Sequence, residues 1–310
     1  MIKAYAPGKI MIAGEYSVLA GGRALAVTTD HVLNCWVTEN TKGWILDTNL
    51  WPAPRFFLIR EELNDDEAFE QVVKNAAERF CKVVIRSDLA VEHGVGSSSA
   101  LRLAVLAALK NNMSLSTLEQ AYDLQKSYQN QASGYDLATQ YYGGVSVFKN
   151  PGEFQKWTVE TLDFKNFMGN ILQHITVFVS KTGAPTKVTM QKNAHWFKNQ
   201  FLIAQQSASE ELIDSLMHYQ SFQDVLDKIV KFRNILEESP AYPRRIHSVL
   251  SSLKGFDKKW TFKPTGAGGE DAILLFGKIS AEAESALLNN CWLRAPFSFA
   301  EKKLTLEEMA

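Results

Sequence analysis

The feature that most constrains this chain is a short glycine loop set between an apolar strand and an apolar helix: Gly94-Val95-Gly96-Ser97-Ser98-Ser99-Ala100. Lys82-Val83-Val84-Ile85-Arg86-Ser87 reads as the strand before it. Leu101, Leu103, Ala104, Val105, Leu106, Ala107, Ala108 and Leu109 predict a strongly apolar helix over 98–110. Glycine lets a backbone approach an oxyanion closely and adopt positive φ. The free N–H groups and the dipole of a helix N-terminus favour negative charge. The segment therefore fits a phosphate cradle, with Gly94, Val95, Gly96, Ser97, Ser98 and Ser99 around the anion and serine hydroxyls able to reach a magnesium ion. Alone, it fits equally a tight strand-to-helix turn with Ser97 or Ser98 as the N-cap. It is not a Walker loop, because GxxxxGK[ST] is absent, and the third glycine of GxGxxG is missing.

A second glycine cluster, Lys263-Pro264-Thr265-Gly266-Ala267-Gly268-Gly269-Glu270-Asp271, lies between strands expected at 259–263 and 271–276. A Gly-Gly hairpin would explain it in isolation. Two such loops flanked by apolar elements favour a polyphosphate site, with Gly266, Gly268 and Gly269 as its second wall. The N-terminal stretch 6–22 carries two charges, Lys9 and Glu15, in an otherwise apolar run until its end. A charge there is costly unless it is paired or faces a site.

Strands are further expected at 2–6, 24–29, 32–38, 144–148 and 174–180, and helices at 66–80, 115–129, 187–217, 221–238 and 243–254. This order is α+β in both halves rather than a βαβ repeat. The 310 residues suggest two domains, and the mixed segment 149–170, with Pro151, Gly152 and Gly169, puts the boundary near 165. The formal net charge is −1. Such a chain has no global field for nucleic acid or an anionic membrane surface, so local groups must hold any anionic ligand. Cys35, Cys81 and Cys291 form no pair at metal or disulfide spacing and are expected as buried thiols, consistent with a reducing compartment. No apolar run approaches the ~18 residues of a membrane span, and the N-terminus has no signal-peptide core. A cytoplasmic protein is expected, and a homodimer is left open.

Taken together, Ala6-Pro7-Gly8-Lys9 through Gly21-Gly22, the 94–100 loop and the 263–272 loop resemble the three ordered motifs of the GHMP kinases. The triplet spans nearly the whole chain. Gly14-Glu15-Tyr16 and Asp271 are similar to the phosphomevalonate kinases, and Ser133-Gly134-Tyr135-Asp136 with Tyr142-Gly143-Gly144 to both mevalonate-pathway kinases. Lys181-Thr182-Gly183-Ala184-Pro185-Thr186-Lys187 resembles another stretch of theirs. The resemblance implies a two-domain GHMP kinase fold, with 1–165 binding ATP and 166–310 completing the substrate side. It implies an ATP- and Mg2+-dependent kinase acting on a small anionic acceptor, phosphomevalonate first, in the mevalonate route to isoprenoids. Mevalonate, another hydroxy acid or a sugar is the alternative acceptor, and a non-catalytic ligand-binding relative is a further one. Lys9 and Asp136 would be the catalytic pair, lying side by side, and Ser97 or Ser98 would lie near magnesium. Glu15, Tyr16, Ser133, Thr182, Thr186 and Lys187 would meet the substrate. The chain departs from the pattern at Glu270, where a glycine is usual. It departs again at Gln125, where mevalonate kinases carry a magnesium-binding glutamate.

Overall fold

The structure is a computed structural model that describes residues 1–90, 93–129, 132–181, 199–240, 242–266 and 271–309. Its first half is built on two long antiparallel strands, β1 (Ile2–Ala13) and β2 (Arg23–Glu39). The two strands expected at 24–29 and 32–38 are one strand, because β2 serves two neighbours in tandem. Its first part pairs with β6 (Val145–Lys149), and its second part with β5 (Cys81–Ser87). Its first part is buried almost without a break, as a strand covered on both faces must be, while Leu33 and Cys35 alternate into the core further on.

Strands β3 (Trp44–Thr48) and β4 (Arg55–Phe57) extend the sheet past β5, and β7 (Thr158–Leu162) pairs with β6. The β3–β5 pairing is parallel, so the sheet is mixed. The chain leaves this sheet after Leu162 and enters a second, antiparallel one at Ile175. That sheet has the order β11 (Trp292–Arg294), β8 (Ile175–Ser180), β10 (Ala272–Gly277), β9 (Trp260–Pro264). The last strand, β12 (Thr305–Glu308), returns to pair with β1 in the first sheet.

Helices cover these sheets. In the first half they are α1 (Ala68–Ala76), α2 (Ser97–Lys110), α3 (Leu115–Tyr128), α4 (Tyr135–Tyr142) and α5 (Phe164–Asn170). In the second half they are α6 (Asn199–Met217), α7 (Phe222–Leu236), α8 (Arg244–Ser251) and α9 (Ala281–Asn289). The apolar run seen in the sequence makes α2 the central helix. Ala100 and Leu103 through Ala108 are buried, and the helix packs on β1, β2, α1, α3 and α4. Burying side chains of this size contributes roughly 1.5–3 kcal/mol each for Leu and Val, which fixes the helix rigidly beneath its loop. The helix expected at 187–217 is described from Asn199 onward, and 187–198 lie outside the described residues. Cys35 and Cys81 are buried free thiols, but Cys291 is exposed, contrary to expectation. It occupies the turn from α9 to β11 at φ 66°, where the chain reverses at the surface. Among the described residues no helix is long and apolar enough to cross a membrane.

Candidate active site

Lys9 reaches the site through an irregularity in β1. Pro7 pairs with Val32 but Lys9 pairs with Thr28, so the register slips between them at Gly8. Proline lacks the N–H a regular ladder needs, and a bulge re-aims the next side chain. The Lys9 backbone N–H then donates to Val95 O at 2.9 Å, which ties β1 to the glycine loop. The Lys9 side chain is 5% exposed. Its ammonium donates to Gly94 O at 3.1 Å and to the Tyr135 hydroxyl at 2.8 Å, and lies 4.9 Å from the Tyr135 ring centroid. Burial lowers its pKa, and Asp136, Asp271 and Glu15 oppose that through space. Lys9 and Asp136 are thus electrostatic neighbours without a direct ion pair. The expected side-by-side contact is replaced by the adjacent Tyr135 hydroxyl.

Gly96 has φ 75° and ends the loop as the N-cap of α2. A Cβ there would lie 2.8 Å from Lys9 Cε and 3.1 Å from Gln140 Nε2, so the loop can sit against Lys9 only with glycine at this position. The three serines that follow divide their roles. Ser97 and Ser98 are half-buried in the first turn of α2. Ser99 is fully buried and its hydroxyl donates to Asp136 Oδ2.

Asp136 stands in the first turn of α4. That helix begins after Gly134, whose φ of 82° lets the chain turn into it against Trp157 and Tyr122. Besides Ser99, Asp136 accepts from Gln125 Nε2 at 3.2 Å (Oδ1) and 2.9 Å (Oδ2), and from Leu137 N–H at 3.0 Å. Elements α2, α3 and α4 each supply a donor, so the carboxylate is held by three helices. Gln125 is 3% exposed, and its Oε1 has no partner.

Glu15 and Tyr16, expected to meet substrate, are buried. Glu15 pairs with Lys263 in an ion pair that is 0% exposed on both sides. Tyr16 sits in the core at φ 62°. This pair joins the end of β1 to β9, helped by Thr265 Oγ1, which donates to Met11 O at 2.6 Å. Burial pushes Glu15 up and Lys263 down, each opposed by its partner's charge. Ser133 is half-buried, and its carbonyl accepts from Asn150 Nδ2 at 2.9 Å. Gly266 closes β9 at φ 70°. Gly268, Gly269, Thr182, Thr186 and Lys187 lie outside the described residues.

Residues 67–144, which hold the glycine loop, α2, α3 and Asp136, match the family described as "GHMP kinases N terminal domain". That segment is similar to the N-terminal domain of the GHMP kinases. Solved structures that share this protein's α+β fold cover nearly the whole chain. A Lin0012 protein from Listeria innocua superposes with a TM-score of 0.75 at 19% identity, covering 99% of each chain. Phosphomevalonate kinase of Streptococcus pneumoniae, solved with phosphomevalonate and AMPPNP, gives a TM-score of 0.75 at 14% identity over 97% of this chain and 100% of its own. In sequence, a mevalonate kinase of Saccharolobus solfataricus is 26% identical over 170 residues, or 50% of this chain and 54% of that protein. The match therefore spans about half the length of that relative.

The glycine loop leads into α2 as the sequence predicted, but several residues around it escaped the sequence reading. Tyr135, Ser99 in its contact with Asp136, and Gln125 as a donor appear only when three helices converge. Among the described residues no three His, Cys, Asp or Glu cluster as metal ligands. The donor set fits magnesium in the mode where phosphate oxygens supply most of the coordination. Ser97 and Ser98, half-buried in the first turn of α2, carry the hydroxyls that would assist it.

Proposed function

We propose that the chain is an ATP-dependent phosphotransferase acting on a small anionic acceptor, and that the acceptor is phosphomevalonate. The carrying observation is the convergence, at the N-terminus of α2, of a glycine loop, a buried lysine and a carboxylate held by three helices. Phosphoryl transfer needs positioning and charge stabilisation more than covalent chemistry, and this inventory supplies both. In this reading residues 1–165 hold the nucleotide and 166–310 complete the acceptor side.

The loop N–H groups and the helix dipole receive the ATP phosphates. Lys9 is held by Gly94 O and Tyr135, which leaves its third N–H for the transferring phosphoryl group. Magnesium, when bound beside Ser97 or Ser98, would neutralise charge on the phosphate oxygens. An acceptor oxygen attacks the γ-phosphorus, the new P–O bond forms, and the bond to the β–γ bridging oxygen breaks with ADP as leaving group. If that oxygen belongs to a phosphate, it is already ionised near neutrality. Asp136 then orients it and shapes the local charge rather than removing a proton. With an alcohol, Asp136 would take the proton.

The likeness of Gly14-Glu15-Tyr16 and Asp271 to the phosphomevalonate kinases supports the first acceptor. The sequence match to a mevalonate kinase favours mevalonate as the second reading. A coupled ADP-release assay separates them. We expect kcat/KM for phosphomevalonate to exceed that for mevalonate by more than ~100-fold, because a pocket built for a second anion leaves donors unpaired when it is missing. Comparable values would demote the assignment to mevalonate kinase or a broader GHMP kinase.

A further inference from the structure

Arg102 lies on α2, one turn beyond Ser98, with its side chain fully buried. Its Nη1 donates to Ser98 O at 3.2 Å, and its guanidinium sits 5.0 Å from the Tyr128 ring centroid on α3. Nε and Nη2 are buried and have no acceptor. Among the described residues no carboxylate forms an ion pair with it, and the acid that acts on it through space is Asp136. Arginine keeps its charge in proteins, so this is a buried cation with part of its donor fork unused. Folding alone does not select such a group, since an apolar side chain of similar volume is as good or better for stability.

The surroundings show what its charge can act on. Gln125 and Tyr128 are three residues apart and share one face of α3. The first donates to Asp136, and the second lies under Arg102. Gln125 is neutral, so it positions Asp136 without supplying charge. Lys9 acts on Asp136 from β1 and Arg102 from α2. Inside the protein a charge reaches further than in water, so its field falls on both Asp136 and the loop at the start of its own helix.

We propose that Arg102 is a positioning residue of the phosphoryl-transfer site, a fixed interior cation behind the glycine loop whose charge draws phosphate oxygens to the N-terminus of α2. It does not touch substrate. It adds a full charge to the partial one the helix offers. The proposal rests on the kinase reading of the site.

The test uses the full chain as wild type, Arg102→Met and Arg102→Lys. Turnover is measured with whichever acceptor the wild type accepts, alongside ATP affinity by calorimetry and thermal melting. Arg102→Met should lower kcat by about tenfold or more and weaken ATP binding by less, with Tm unchanged or raised. Arg102→Lys keeps the charge and should recover about a third or more of the wild-type kcat. A kcat for Arg102→Met within twofold of wild type would overturn the proposal, as would equal losses in both variants with a parallel fall in Tm. Should Arg102→Met not fold, Arg102→Gln, which also removes the charge, decides on the same criterion. A wild type that turns over no acceptor strikes the kinase reading instead.

Discussion

Lys263 and Arg102 are both fully buried, yet they stand in opposite electrostatic settings. Lys263 donates to Glu15 and to Pro264 O, so its charge is matched where it lies. Arg102 has one carbonyl and an aromatic face, and no carboxylate at hand. The first cation joins the two sheets under the site. The second sits behind the glycine loop and acts through space. The difference teaches that burial alone does not distinguish a structural charge from a working one. What distinguishes them is whether the local structure completes the pairing or leaves it for the site to use.

Breaking the paired side should have the largest effect on stability. Glu15→Gln leaves Lys263 buried without its counter-charge, a loss of roughly 3–5 kcal/mol. It should appear as a lower denaturant midpoint with an unchanged slope. Replacing both partners, Glu15→Leu with Lys263→Met, should return stability most of the way to wild type. If Glu15→Gln costs less than about 1 kcal/mol, the contrast between the two cations dissolves.

A smaller effect sharpens the comparison on the catalytic side. Lys9 is depressed below the ordinary lysine value of 10.5, chiefly by burial. Its charge is present below the lowered pKa and lost as pH rises through it. Turnover should therefore fall on the alkaline side before an ordinary lysine would titrate. In that same window the unfolded chain binds more protons than the folded one, so stability should rise with pH, and Lys263 adds in the same direction. Activity and stability moving oppositely is the signature, and Lys9→Arg should move the alkaline limb out of range. An alkaline limb at the ordinary lysine value would remove Lys9 from this role.

The sequence reading found the elements whose pattern is local. The apolar run of α2, the loop before it and the strands β8, β9 and β10 of the second sheet could be read because their signals are local, whereas the three-residue β11 was missed. It missed α4, because Tyr135–Tyr142 is too short for a helical period to emerge and the glycines around it read as loop. It split β2 because Asp30 and His31 interrupt the apolar pattern at the point where the strand changes neighbours. Asp136 and Lys9 were reached by motif, but the groups that hold them were not. Ser99 looked like one of three equivalent serines until the helix phase turned it inward. Arg102 left a trace, a lone charge between Leu101 and Leu103, that the reading passed over. Glu15 and Tyr16 were tied to substrate through the likeness of Gly14-Glu15-Tyr16 to the phosphomevalonate kinases, and the bend after β1 buries both side chains.

The central claim is the proposal that Asp136 is the carboxylate that orients the attacking oxygen of a phosphoryl-transfer site whose nucleotide is held elsewhere, by the loop and α2. Asp136→Asn keeps the shape and the Leu137 N–H contact while removing the charge. Measured at saturating ATP and acceptor, kcat should fall by about 10²–10⁴, the range for a positioned acid–base group, with the ATP Kd essentially unchanged. Turnover near wild type in a folded Asp136→Asn protein would contradict the account.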